Sequence, residues 1–161
     1  MWEGSHKPAA EWTPEIRLVP LEYNLPLKYA VWVIQYCDET GTPVWMASRM
    51  FSQESSGNPL GAWNPKAVSW MGAQGLAQLM PQFLEVFSML YNDGLPIDPF
   101  DPETAIRVGI RYLADLYSQT GSWSIALKSY NGGIGHYLEP WVWGPWKDES
   151  IVYAKNILGG N

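Results

Sequence analysis

Glu54 is the residue of this chain whose type and setting best suit chemistry. No other carboxylate follows it until Glu85, and the only charge between the two is Lys66. The residues between are turn formers, amides, hydroxyls and aromatics. A glutamate kept for solubility usually has charged neighbours of both signs, whereas one set apart in uncharged company suits proton transfer. The helical pattern described below puts Glu54 in the last turn of a helix, where free carbonyls disfavour a second negative charge. Burial among aromatics would act in the same direction. Both effects favour a carboxylic acid that keeps its proton near neutrality, as a general acid must. Taken alone, Glu54 also fits a glutamate that merely solvates a helix end, so its surroundings must decide.

The composition narrows the partners. At 161 residues with a net charge of −6, the chain is expected to form a single domain with a real core. Its ten Lys and Arg are scattered singly, which argues against nucleic acid, since phosphate binding needs clustered cations. No apolar run approaches the roughly 20 residues that span a bilayer. The start, Met1 to Lys7, lacks the basic region and apolar core of a secretory signal. The expectation is a chain not exported by that route, or one whose signal has been trimmed. Cys37 stands alone, so no internal disulfide is available. Two histidines and one cysteine offer no ligand cluster, so neither metal nor cofactor is expected. Ten Trp and nine Tyr must mostly pack, yet such rings also stack on sugar faces while a polar tip hydrogen-bonds. An acidic, Trp-rich chain suits a neutral carbohydrate better than a charged ligand.

The elements that must position Glu54 read as helices throughout. Pro8, Pro14, Pro20 and Pro26 forbid long helices, so residues 1–26 are expected to be an extended arm and 27–161 the folded domain. Leu27 to Glu39 is apolar nearly all round and predicts a central buried helix ending before Gly41. Thr42-Pro43 predicts an N-cap and a first-turn proline for a helix reaching about Ser55. Residues 57–75 read as loop, with a short helical turn over Gly75 to Leu79. Pro81 opens a helix to about Tyr91, stopped by Asn92-Asp93-Gly94. Asp101-Pro102 starts the next, whose period-3.6 face carries Ala105, Ile106, Gly109, Tyr112, Leu113, Leu116 and Tyr117. Ser122 caps another helix, with Trp123, Ala126, Leu127 and Tyr130 on one face, stopped by Asn131-Gly132-Gly133. Trp141 to Trp146 reads as a loop, and Ile151, Ala154, Ile157 and Leu158 mark a last helix. No strand pattern appears, so the fold class expected is all-α.

Three segments carry a resemblance when taken in order. They are Glu54-Ser55-Ser56-Gly57-Asn58-Pro59, Asn64-Pro65-Lys66-Ala67-Val68-Ser69, and Gly72-Ala73-Gln74-Gly75-Leu76-Ala77-Gln78-Leu79-Met80-Pro81. Gly109-Ile110-Arg111-Tyr112-Leu113, Ser129-Tyr130-Asn131-Gly132-Gly133 and the helix from Ser150 to Leu158 continue it. Over residues 27–158 the chain resembles the lytic transglycosylases with the soluble-transglycosylase (SLT), goose-lysozyme-like domain. The resemblance implies a lysozyme-like all-α fold and Glu54 as the sole catalytic acid/base. It also implies that Ser69, Gly75, Gln78, Met80, Tyr112, Tyr130 and Asn131 line a sugar cleft. Gly75 would let backbone approach a saccharide. Gln78 and Asn131 carry both donors and acceptors for an N-acetyl or hydroxyl group, and Tyr112 and Tyr130 would hydrogen-bond Glu54 or an N-acetyl carbonyl. The implied partner is a peptidoglycan glycan strand, met in the periplasm or outside the cell by a monomer. A phage-encoded lytic enzyme, a secretion-system accessory and a trimmed periplasmic protein all fit. The chain departs from the family in a longer loop after Glu54, carrying Leu60-Gly61-Ala62-Trp63. Ala77 stands where Met is usual, Ser129 where Ala is usual, and Gln82 follows Pro81.

Glycosidases with two carboxylates hold them about 5–5.5 Å apart for retention or about 6.5–9.5 Å apart for inversion. The carboxylate-free stretch offers Glu54 no evident partner. This suits the single-acid reaction that the resemblance implies, cleavage of the β-1,4 bond from N-acetylmuramic acid to N-acetylglucosamine with formation of a 1,6-anhydromuramoyl end. One alternative is a goose-type lysozyme that hydrolyses the same bond, with Asp98, Asp101 or Glu139 positioning water. A non-catalytic wall-binding module is another.

Overall fold

The computed structural model describes residues 25–56 and 61–159. The expected arm of residues 1–26 therefore lies outside the described residues except for Leu25 and Pro26, as does Leu60 of the longer loop. The chain forms two compact units, one running to Arg111 and one from Tyr112 onward. Among the described residues the regular structure is helical. The only strand-like pairings there are two isolated bridges, Val68 to Gln74 and Gln74 to Leu79.

In the first unit, α1 spans Leu27–Thr40 and α2 spans Val44–Ser55. Gly41 ends α1 in the left-handed conformation at φ 76°, with its N–H on the Cys37 carbonyl, a backbone shape that glycine adopts without penalty. Thr42 does not cap α2 as the sequence suggested. Its hydroxyl lies 2.7 Å from that of Thr40, which in turn donates to the Tyr36 carbonyl. Pro43 takes the cap position without a side-chain bond. Nor is α1 buried all round: Tyr29, Ala30, Val33, Tyr36 and Cys37 face inward, while Leu27 is exposed.

A 3₁₀ turn at Pro81–Phe83 leads into α3, Leu84–Tyr91. The long helix α4 spans Pro102–Thr120. Asp101 caps it as expected, accepting from the Thr104 N–H at 3.0 Å and its hydroxyl at 2.7 Å, a cap of the kind that contributes about 1 kcal/mol. Met46, Ala47, Met50 and Phe51 of α2 share the core with Leu76, Ala77, Ala105, Ile106 and Ile110. Gly109 explains why a glycine interrupts α4: a Cβ there would sit 2.9 Å from the Phe51 ring and 3.1 Å from Ala77. Polar groups bolt the other side. Arg111 forms a fork onto Glu39 at 2.9 and 2.7 Å and donates to the Tyr91 carbonyl at 3.0 Å. Both charged side chains of this pair are buried. Arg107 does the same to the Asn92 carboxamide oxygen at 3.0 and 2.8 Å.

In the second unit, α5 spans Trp123–Gly132, and Ser122 caps it through the Ile125 N–H as the sequence predicts. The stretch expected as a Trp-rich loop contains helix. Gly135–Leu138 forms α6 and Pro140–Trp143 forms α7. Gly135 lets the Trp143 indole press close, since a Cβ there would come 2.5 Å from Cε2. The last helix, α8, spans Asp148–Leu158 and packs on α5. Its buried face is Ser150, Tyr153, Ala154 and Ile157, while Ile151 turns outward. The helix was legible, but its inward face is rotated from the purely apolar one, because small and amphipathic side chains fill the contact with α5.

Candidate active site

Glu54 lies in the last turn of α2, as its sequence position predicts, and its side chain is half-buried. The next residue fixes where the chain goes. The buried Ser55 hydroxyl donates to the Phe51 carbonyl at 2.7 Å and accepts the Trp63 backbone N–H at 2.6 Å. One oxygen therefore joins the end of the helix carrying Glu54 to the far side of the loop that follows it. Trp63 adopts φ 63°, a left-handed conformation that a bulky side chain rarely takes. Its ring packs 6.1 Å from Tyr29 and 5.9 Å from Phe51, and its buried indole N–H has no hydrogen-bond partner among the described residues. Sequence spacing does not single out Ser55, because serine at a helix end has many uses. Its role emerges only with Trp63 in place.

Residues 64–80 form one hydrogen-bonded knot that carries Ser69, Gly75, Gln78 and Met80. Ser69 closes a tight loop: its N–H donates to the Ala73 carbonyl at 2.9 Å, and its hydroxyl accepts the Ala73 N–H at 3.0 Å. Gln74 and Leu79 exchange a reciprocal pair of 2.9 Å bonds, so the segment expected as a helical turn from Gly75 to Leu79 is a closed non-helical turn instead. Gly75 sits at φ 76°, donates to the Ala67 carbonyl at 2.8 Å, and would drive a Cβ into the Pro99 carbonyl oxygen. Its identity is thus accounted for by protein packing. Gln78, at φ 51°, turns its amide nitrogen back onto the Gly75 and Ala67 carbonyls at 2.9 and 3.3 Å. Its donors therefore serve the loop. Met80 is half-buried and leads into the 3₁₀ turn.

The other three candidates belong to the second unit. The Tyr112 and Tyr130 rings lie 5.0 Å apart at 37°. Burial, helped by the nearby Asp115 carboxylate, pushes the Tyr112 phenol up to about 12, so it remains a neutral donor at any physiological pH. Asn131 accepts the Ser150 hydroxyl at 2.9 Å through Oδ1, which orients its amide nitrogen outward from that contact. Ser129, where the family usually has Ala, spends its hydroxyl on the Ile125 carbonyl at 2.8 Å. That substitution is absorbed inside the helix.

With this geometry in hand, the family model described as the Transglycosylase SLT domain matches residues 36–142. The chain belongs to this family. It is 36% identical over 127 residues to the soluble lytic murein transglycosylase of Escherichia coli K12, covering 76% of this chain and 18% of that protein. A membrane-bound lytic murein transglycosylase F 2 of Alkalilimnicola ehrlichii is 34% identical over 108 residues, covering 63% of this chain and 21% of the relative. In three dimensions the chain resembles the crystal structure of the 70 kDa soluble lytic transglycosylase from Escherichia coli. The TM-score is 0.69 at 28% identity, covering 87% of this chain and 24% of that one. The lysozyme-like, all-α fold expected from sequence is therefore the fold observed. This SLT domain spans only about a fifth of the length of the curated relatives it matches.

Asp98 and Asp101, two of the acids named above as candidates to position water, have local duties in the SLT domain. Asp98 accepts the Phe100 N–H at 2.9 Å, and Asp101 caps α4. Glu139 precedes α7 on an exposed turn. Among the described residues no three His, Cys, Asp or Glu gather as a metal site would require, and no helix is long and apolar enough to cross a membrane.

Proposed function

We propose that this SLT domain is a peptidoglycan lytic transglycosylase with Glu54 as its one acid/base. The observation that carries the reading is the setting of Glu54. It is a half-buried carboxyl at a helix end, anchored through Ser55 to a closed loop of amides, hydroxyls and aromatics with no other acid. Glu54 donates its proton to the oxygen joining C1 of N-acetylmuramic acid to N-acetylglucosamine, and the C1–O bond breaks. The N-acetyl oxygen of the muramoyl unit stabilises the electron-poor C1. The Glu54 carboxylate then takes the proton of the C6 hydroxyl as that oxygen bonds to C1. The product is a 1,6-anhydromuramoyl end, and no water is consumed. An intramolecular nucleophile has a high effective molarity, which offsets the absence of a second carboxylate. Gln78 Oε1, Met80, the Ser69 loop, Tyr112, Tyr130 and Asn131 are the groups proposed to hold the sugars. The reading places the domain at the cell wall.

Hydrolysis by a goose-type lysozyme would need a second acid to position water. The cap and turn bonds of Asp101 and Asp98 favour the single-acid reading. Digestion of purified peptidoglycan followed by mass spectrometry tests it. Anhydromuramoyl ends are expected from wild type, and near-complete loss of products from Glu54→Gln with an unchanged melting temperature. Recovery of only reducing muramic ends would overturn the reaction. Equal products from Glu54→Gln would overturn the residue.

A further inference from the structure

Trp70 is 94% exposed, the most exposed of the large apolar side chains in the described residues. Single surface apolar residues need no explanation, but this one does not stand alone or on loose backbone. Met71 beside it is 62% exposed and Val68 53% exposed. The loop that carries them is closed on itself. Ser69 and Ala73 are joined by backbone and hydroxyl bonds, the Gly72 N–H returns to the Ser69 carbonyl at 2.9 Å, and Gly72 takes φ 91° to allow the turn. Val68 and Gln74 bridge its base. An indole held outward on a fixed five-residue turn has lost backbone freedom in advance, which lowers the cost of ordering on binding.

We infer that Trp70 is a stacking platform for a further N-acetylhexosamine ring of the glycan strand, beyond the two sugars flanking the cleaved bond. The inference rests on the proposed function. Two observations choose this occupant. Trp70 directly follows Ser69, so the platform is continuous with the loop proposed to hold the sugars. The only charge from residue 55 to residue 84 is Lys66, so the segment that carries the indole suits the apolar C–H face of a neutral ring, against which an aromatic face packs well. Trp70 makes no bond to the reacting atoms. It positions the strand.

The test uses N-acetylglucosamine di- and hexasaccharides, which carry no stem peptide, titrated calorimetrically into Glu54→Gln protein with and without Trp70→Ala. Trp70→Ala is expected to weaken hexasaccharide binding roughly tenfold, the loss typical of truncating an aromatic anchor. The disaccharide should be unaffected, the melting temperature unchanged, and Trp70→Phe should recover most of the loss. In the Glu54 background, Trp70→Ala should raise KM on glycan strands and leave kcat alone, the signature of lost uniform binding. Unchanged hexasaccharide affinity would overturn the inference while leaving the proposed function standing. A loss confined to peptide-bearing murein fragments would also overturn it, assigning the indole to the stem peptide. Failure of Glu54→Gln protein with Trp70 intact to bind either sugar would sink the proposed function and this inference with it.

Discussion

Replacing Ser55 with alanine removes one oxygen and tests whether Glu54 is held through its neighbour. The hydroxyl bridges the Phe51 carbonyl and the Trp63 N–H, at 2.7 and 2.6 Å. The carbonyl stays inside the helical ladder and loses a second bond only. The N–H belongs to a residue that is 6% exposed, so its loss leaves a buried donor unpaired, at about 1–3 kcal/mol. Trp63 also holds a strained φ of 63°, which persists only while its surroundings enforce it. A destabilisation of about 2 kcal/mol follows, equivalent to roughly 4–8 °C in melting temperature for a chain of this length. Ser56→Ala is the matched control, because that hydroxyl is exposed and donates to the nearby Gln53 carbonyl; its melting temperature should stay near wild type. Thermal melts of the three proteins, with turnover of purified peptidoglycan at a temperature where all are folded, give the two readouts. Ser55→Ala should also lose turnover at that temperature, since Glu54 sits on the freed turn. A melting temperature for Ser55→Ala equal to that of Ser56→Ala would refute the anchor.

Two further outcomes follow from the same structure. Gln78→Glu replaces the donor that faces the Gly75 and Ala67 carbonyls with an acceptor, so a loss of about 2 kcal/mol is expected in urea unfolding, and wild-type stability would show that the amide serves the ligand alone. The Tyr112 phenol, raised by burial and then by Asp115 from 10.0 to about 12, keeps its proton in the fold where the unfolded chain has lost it. Its contribution is complete below pH 10 and is lost as pH rises from 10 to about 12, about 2–3 kcal/mol in all. Alkaline melts should therefore fall less steeply for Tyr112→Phe than for wild type, and parallel curves would contradict the shift.

Helix starts and stops were legible wherever a short-range bond carries them. Asp101 and Ser122 cap as their spacing to Thr104 and Ile125 requires, and Gly41 and Gly133 end helices. The misreadings arise where a side chain has a competing partner that its residue type does not announce. Thr42 is drawn into a pair with Thr40 instead of capping α2. The Trp141 to Trp146 stretch folds partly into helix, with the Trp143 ring against Gly135. The place of Glu54 in the last turn of α2 was legible from the helical pattern of that segment. Ser55 and Trp63 were not, since their bond spans eight residues and the strain at Trp63 is visible only in the backbone.

Gly75 and Gln78 show how one motif serves two ends. The Gly75 N–H and the Gln78 amide both converge on the Ala67 carbonyl, and Gln78 also closes onto Gly75 itself. Two residues three apart thereby fix a turn in which each takes a positive φ. Neither identity requires a sugar: glycine is imposed by the Pro99 carbonyl, and the amide by two carbonyls that need a donor. What the turn leaves outward is the Ser69 loop bearing Trp70. After Glu54, Ser55 picks the chain up again at Trp63, just before the knot. A hydrogen-bonded wall on residues 64–80, reached through Trp63 and joined to the helix of Glu54 by one serine, is the arrangement the proposed single-acid reaction needs. In the proposed reaction no second carboxylate activates an incoming group, so the sugar that supplies the nucleophile must itself be held still.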